Sequence, residues 1–181
     1  MSIFMKQKHP DRQQCQKFLE EYNTPAHVIG HCNAVAETAY KIGSALNRHG
    51  YDLDLELVMA AGMIHDIARV EDEHWNRGAE FMEKLGYQQE ADIIRVHMHY
   101  TVFNPVDSIN ETDLICLADK LVLEDKYAGL DKRMDYILEK AKKFGRPGAE
   151  EAIKKKKEET KRFISEIENL IGMTFVQLMK C

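Results

Sequence analysis

The sequence predicts an all-α protein: a helical bundle with a long C-terminal amphipathic helix. Apolar residues recur at three- and four-residue steps through most of the chain. Helix punctuation separates these runs, with Thr24-Pro25 before one of them and Gly50, Gly86 and Gly145 after others. No segment is long or regular enough to read as a β-strand, and there is no internal repeat or low-complexity linker.

Taken in order, Asp11 to Tyr22 reads as a short first helix. Thr24 is the expected cap of the next, with Pro25 at its first helical position. That helix carries Val28, His31, Val35, Ala39, Ile42 and Leu46 and stops near His49-Gly50. Asp52 or Asp54 is expected to cap a third helix running to about Ala68, apolar on all sides in its middle and therefore central. Helices are expected over Trp75–Leu85, Gln88–Met98, Glu111 to about Lys126, and Asp131–Lys143, with loops at Arg69–Glu73 and Tyr100–Asn110. The last long helix, Ala149 to Ile171, sets Ile153, Thr160, Phe163, Ile164, Ile167 and Leu170 on one face. Thr174 caps a final turn. The lysine run Lys154–Lys157 reads as its solvated face.

At 181 residues the chain can bury a core without staples. The expected division is an N-terminal helical extension (1–23), a central core (24–126) and C-terminal helices packing on it (127–181). A net charge of −5 argues against general nucleic-acid binding. Cys15, Cys32, Cys116 and Cys181 show no close pairing, and the N-terminus lacks a signal peptide's apolar core, so reduced thiols and a cytoplasmic setting are expected. No apolar run approaches the ~18 residues that span a bilayer, so no membrane partner is expected. Oligomeric state is left open between monomer and homodimer.

The chemistry is carried by His65-Asp66, placed directly after the apolar run Leu57–Ile64. Buried without partners, such groups cost several kcal/mol, so they are usually paired or bound to metal. His31, His65, Asp66 and Asp119 together would offer two nitrogens and two oxygens, a set suited to Mn, Fe, Co, Ni or Zn. His74 and His97 could hold a second ion, with Asp66 bridging the two. The bland alternatives are a structural His65-Asp66 pair, a core histidine at His31, an acid at Asp119 paired with Lys120, and a helix cap at His74. His27 reads as a pocket or core histidine, Met59 and Met63 as core filler, and Trp75 and Tyr100 as packing aromatics.

The segments HCNAVAETAYKI, AAGMIHDIARV, HWNRGAEFMEKLGY, ADIIRVHMHY and LICLADKLV resemble the HD superfamily of metal-dependent phosphohydrolases, in particular its small standalone bacterial members. The resemblance spans roughly Thr24 to Lys126. It implies His31 as first ligand, His65 and Asp66 as the doublet, Asp119 as last aspartate, and His74 and His97 as the extra histidines of two-metal branches. One ion is expected, with a second accommodated by the extra histidines. Where many members read His-Asp-Ile-Gly-Lys, this chain has His65-Asp66-Ile67-Ala68-Arg69; Met98 also separates His97 from His99, which makes His99 a substrate-facing residue rather than a ligand.

The implied reaction is hydrolysis of a phosphate ester of a nucleotide or small phosphorylated metabolite by metal-activated water. Asp66 would be ligand and water-orienting group, with Arg69 and Lys120 catalytic cations. Arg69, Arg77, His99 and Lys120 would meet the substrate. Two alternatives stand beside it: a two-iron HD-type oxygenase and a nucleotide-sensing binding module.

Overall fold

The computed structural model describes residues 8–100 and 102–181, a helical bundle interrupted by one short hairpin. Residues 1–7 of the expected N-terminal extension (1–23) and Thr101 of the expected loop Tyr100–Asn110 lie outside the described residues.

Helix α1 (Arg12–Glu21) opens on a capping box: Gln14 N donates to Asp11 Oδ1 at 2.8 Å, and Asp11 N donates to the Gln14 side chain at 3.0 Å. In α2 (Ala26–Asn47) Pro25 itself occupies the cap, and Thr24 is not the capping residue the sequence suggests. The Thr24 hydroxyl instead donates to the Ile67 carbonyl at 2.7 Å, satisfying a buried acceptor in the turn after α3.

Helix α3 (Leu55–Ile64) is capped by Asp54, which accepts from Leu57 N. It ends at His65 rather than near Ala68. Beyond it the chain tightens into three-residue turns, Ile67 N to Ile64 O at 3.0 Å and Arg69 N to Asp66 O at 2.9 Å. Helices α4 (His74–Lys84) and α5 (Gln88–Val96) pack on one another, and a 3₁₀ turn (Val106–Ser108) leads to α6 (Glu111–Asp119).

The expected continuation of α6 to Lys126 does not form. Lys120 N and Leu121 N close three-residue turns, and an antiparallel hairpin follows, β1 (Val122–Leu123) with β2 (Lys126–Tyr127). Glu124 in its turn has φ +56°, in the left-handed region. Two residues per strand leave no alternation to read from sequence. Helices α7 (Leu130–Phe144), α8 (Ala149–Ile171) and α9 (Phe175–Met179) complete the chain, the last capped by Thr174.

Helices α2 and α3 lie at the centre and cross closely at Gly62, where an added Cβ would sit 2.6 Å from the Ala36 Cα. On one side Val35, Ile42, Val58, Leu114 and Leu117 share a core with Phe163 and Ile167 of α8 and Phe175 of α9. On the other, Ile64 and Met63 meet Leu19, Met82 and Ile94. The lysine run is not uniformly solvated. Lys156 lies over the Phe103 ring at 5.5 Å, and Lys157 pairs with Asp131 at 2.9 Å. Among the described residues, no helix is long and apolar enough to cross a membrane.

Candidate metal centre

The end of α3 explains how adjacent residues reach one cluster. Side chains one residue apart on a helix diverge by ~100°. At His65 the helix stops and the backbone tightens, so the imidazole and the Asp66 carboxylate enter the same space. His31 comes from α2, His74 from the first position of α4, His97 from the cap of α5, and Asp119 from the last residue of α6.

The ligand atoms fall into two groups, each within 4.8 Å: His31, His65 and Asp119, and Asp66, His74 and His97. In the first, His31 Nε2 lies 3.0 Å from Asp119 Oδ1 and His65 Nε2 lies 3.9 Å from the same oxygen. In the second, Asp66 Oδ1 is 3.3 Å from His74 Nε2 and 3.2 Å from His97 Nε2. Asp66 Oδ2 faces the first group, 3.6 Å from His65 Nε2 and 4.0 Å from His31 Nε2.

Three of these rings are held by their other nitrogen. Nδ1 lies 3.1 Å from Glu124 O in His31, 2.8 Å from Gly62 O in His65 and 2.6 Å from Ile94 O in His97. A carbonyl can only accept, so each Nδ1 carries the proton. In a neutral ring Nε2 then presents its lone pair to the carboxylates, and two acceptors at such distances repel unless a proton or cation lies between them. Backbone carbonyls holding Nδ1 are the usual support of a metal-ligating imidazole. Moreover, the Nε2 atoms of His65 and His74 are buried and make no hydrogen bond among the described residues. Each such unmade bond costs about 1–3 kcal/mol. A borderline divalent ion bound by imidazole and carboxylate satisfies both, so the residues fit the metal.

The electrostatics agree. Burial alone would raise the Asp66 carboxyl, but the surrounding imidazoles of His65, His74 and His97 hold it well below the usual range. Asp119 is likewise held low against its burial by His31 and His65. Burial opposes protonation of His31 and His97, yet Asp119 and Asp66 respectively outweigh it and raise both rings. His65 is lowered, because burial dominates there.

A cleft of about 590 Å³ opens beside the centre, lined by His31, Asp66, Arg69 and His27, by Glu124 and Asp125 of the hairpin, and by Arg133, Tyr136 and Lys140 of α7. Arg69 Nε is 3.6 Å from Asp66 Oδ2. The other expected substrate-facing groups stand elsewhere. Lys120 donates to Cys116 O at 3.2 Å and lies 5.7 Å from the Phe103 centroid. Arg77 Nε is 3.9 Å from Glu71 Oε2, and His99 packs edge-on against Trp75 at 4.8 Å. None of the three lines the cleft.

Sequence reasoning missed Arg133, Tyr136 and Lys140 of α7, placing them on an expected helix over Asp131–Lys143 without a role. It also missed Asp113. That carboxylate is fully buried and accepts from Tyr100 Oη at 2.7 Å, Asn104 N and Nδ2, and Asn110 N, fixing the loop after α5. The pattern Asn110-x-x-Asp113, a capping box, was the available signal.

Known proteins place this geometry. A match to the HD domain covers residues 28–123, more than half the chain, and contains both ligand groups. The uncharacterized protein MJ0778 of Methanocaldococcus jannaschii is 40% identical over 70 residues, which is 37% of this chain and 41% of that protein. The match therefore spans under half of that relative's length. No solved structure matches the chain. With the doublet, its flanking ligands and the match in agreement, the chain belongs to the HD-domain family, whose members are generally metal-dependent phosphohydrolases.

Proposed function

We propose that this protein is a metal-dependent phosphohydrolase acting on a phosphate ester of a nucleotide or other small phosphorylated metabolite. The observation that carries the reading is the double cluster joined by Asp66, whose two carboxylate oxygens face different ligand groups. His31, His65 and Asp119 would hold one divalent ion and Asp66, His74 and His97 a second, from the set Mn, Fe, Co, Ni or Zn. Bound ions of this kind lower the pKa of water and polarise phosphoryl oxygens.

The chain's own residues supply the rest. The carbonyls of Glu124, Gly62 and Ile94 fix the rings of His31, His65 and His97. Asp66 orients the attacking water, and Arg69 at the cleft edge offers a planar fork to the phosphoryl oxygens. Overall, a bond forms from the water oxygen to phosphorus, the ester P–O bond breaks, and a water proton leaves with the alcohol product.

The test is a phosphate-release screen over nucleotides and small phosphate esters with Mn, Co, Ni or Mg, on protein purified without chelator. Release that depends on added or retained metal is expected. Two bound irons with oxygen uptake and no phosphate release would instead establish an oxygenase. Neither metal nor release would leave a binding module.

A further inference from the structure

The cleft beside the centre has a wall that the HD match does not include. Arg133, Tyr136 and Lys140 follow one another at three- and four-residue steps on α7, beyond residue 123, and so share one helix face. The Arg133 guanidinium carbon lies 5.9 Å from the Tyr136 ring centroid and Lys140 Nζ lies 4.5 Å from it. The ring therefore gathers two cations on the cleft wall. Arg133 Nε is buried and makes no hydrogen bond among the described residues. Glu124 and Asp125 also line the cleft, but among the described residues no ion pair joins either to Arg133 or Lys140. A buried guanidinium N–H beside a second cation is completed by an anion.

We propose that Arg133 and Lys140, positioned by Tyr136, form a subsite for a second anionic group of the substrate. Resting on the phosphohydrolase reading, this narrows the substrate to a phosphate ester that also carries a further phosphate or a carboxylate. Tyr136 serves to hold the cations, so charge selects the substrate at this wall.

The test is calorimetric binding to metal-loaded protein of two matched pairs: fructose monophosphate against fructose bisphosphate, and glycerol phosphate against phosphoglycerate. The doubly anionic member of at least one pair should bind about tenfold more tightly, the worth of one charge-assisted hydrogen bond. The pair with the larger ratio identifies the second group as phosphate or carboxylate. Arg133→Gln and Lys140→Gln should bring the ratio close to unity with metal content unchanged, and Tyr136→Leu should lower it where Tyr136→Phe does not. Lys140 is exposed, so its variant folds regardless. A ratio unaffected by both charge substitutions, or no preference in either pair, overturns the subsite. Metal content and phosphate release, measured on the same samples, judge the phosphohydrolase reading separately. Without release, loss of bisphosphate binding in Arg133→Gln still upholds the anion subsite.

Discussion

His65 and Asp66 are adjacent in sequence, yet they serve different halves of one cluster. His65 groups with His31 and Asp119, and Asp66 with His74 and His97, while Asp66 Oδ2 remains 3.6 Å from His65 Nε2. The carboxylate is the hinge between the two halves. Its position depends on α3 ending at His65, since one more helical turn would swing the two side chains apart.

Asp66→Ala should abolish turnover and most metal binding while leaving helical content intact. Removing a group that supports a ligand costs about 10–100-fold in affinity or activity, and removing a group shared by both halves should exceed that. Elemental analysis and circular dichroism on the same sample check it. A variant with full activity would show the assignment to be wrong.

Metal affinity should rise with pH through the histidine range. Asp119 and Asp66 outweigh burial and hold protons on His31 and His97 above their ordinary value, so metal must displace up to two protons. In metal-free protein, raised histidines contribute stability that is full below about pH 6.5 and is lost as pH rises through their folded values. Lowered His65 contributes in the opposite sense, losing stability as pH falls. The gain in Tm on adding metal should therefore grow from about pH 5.5 to about pH 8. A gain that stays constant across that window would contradict the proton competition.

Gly62→Ala should destabilise the fold by about 1–3 kcal/mol, because its methyl would meet the Ala36 backbone where α2 crosses α3. Because these helices carry His31 and His65, metal binding should weaken in the same variant. Urea unfolding followed alongside metal titration checks both.

Asp113→Ala should cost about 3 kcal/mol, since it strips the acceptor from Tyr100, Asn104 and Asn110 at a fully buried position. Asp113→Asn keeps part of that acceptor capacity and should lose less. Thermal unfolding of both variants separates loop anchoring from charge.

Much of this architecture was legible in the sequence because it is periodic. The face of α8 and the caps at Asp54 and Thr174 follow from spacing and residue type. What spacing did not reveal was set by contacts between distant segments. Thr24 is recruited by the Ile67 carbonyl, and α6 yields to a hairpin whose strands are too short to carry a pattern. At the site, His31, His65, Asp66, His74, His97 and Asp119 stand in an ordered series that the chain displays openly. Arg133, Tyr136 and Lys140 do not, because only the packing of α7 against the hairpin brings them to the cleft. Lys120 illustrates the reverse: it is adjacent to Asp119, yet its ammonium bonds back to Cys116 O.

The most direct test of the central claim is the metal content of protein purified without chelator and then offered Mn or Co. The double cluster predicts close to two equivalents per chain, falling toward one in His74→Ala. No bound metal, before or after the addition, would contradict it.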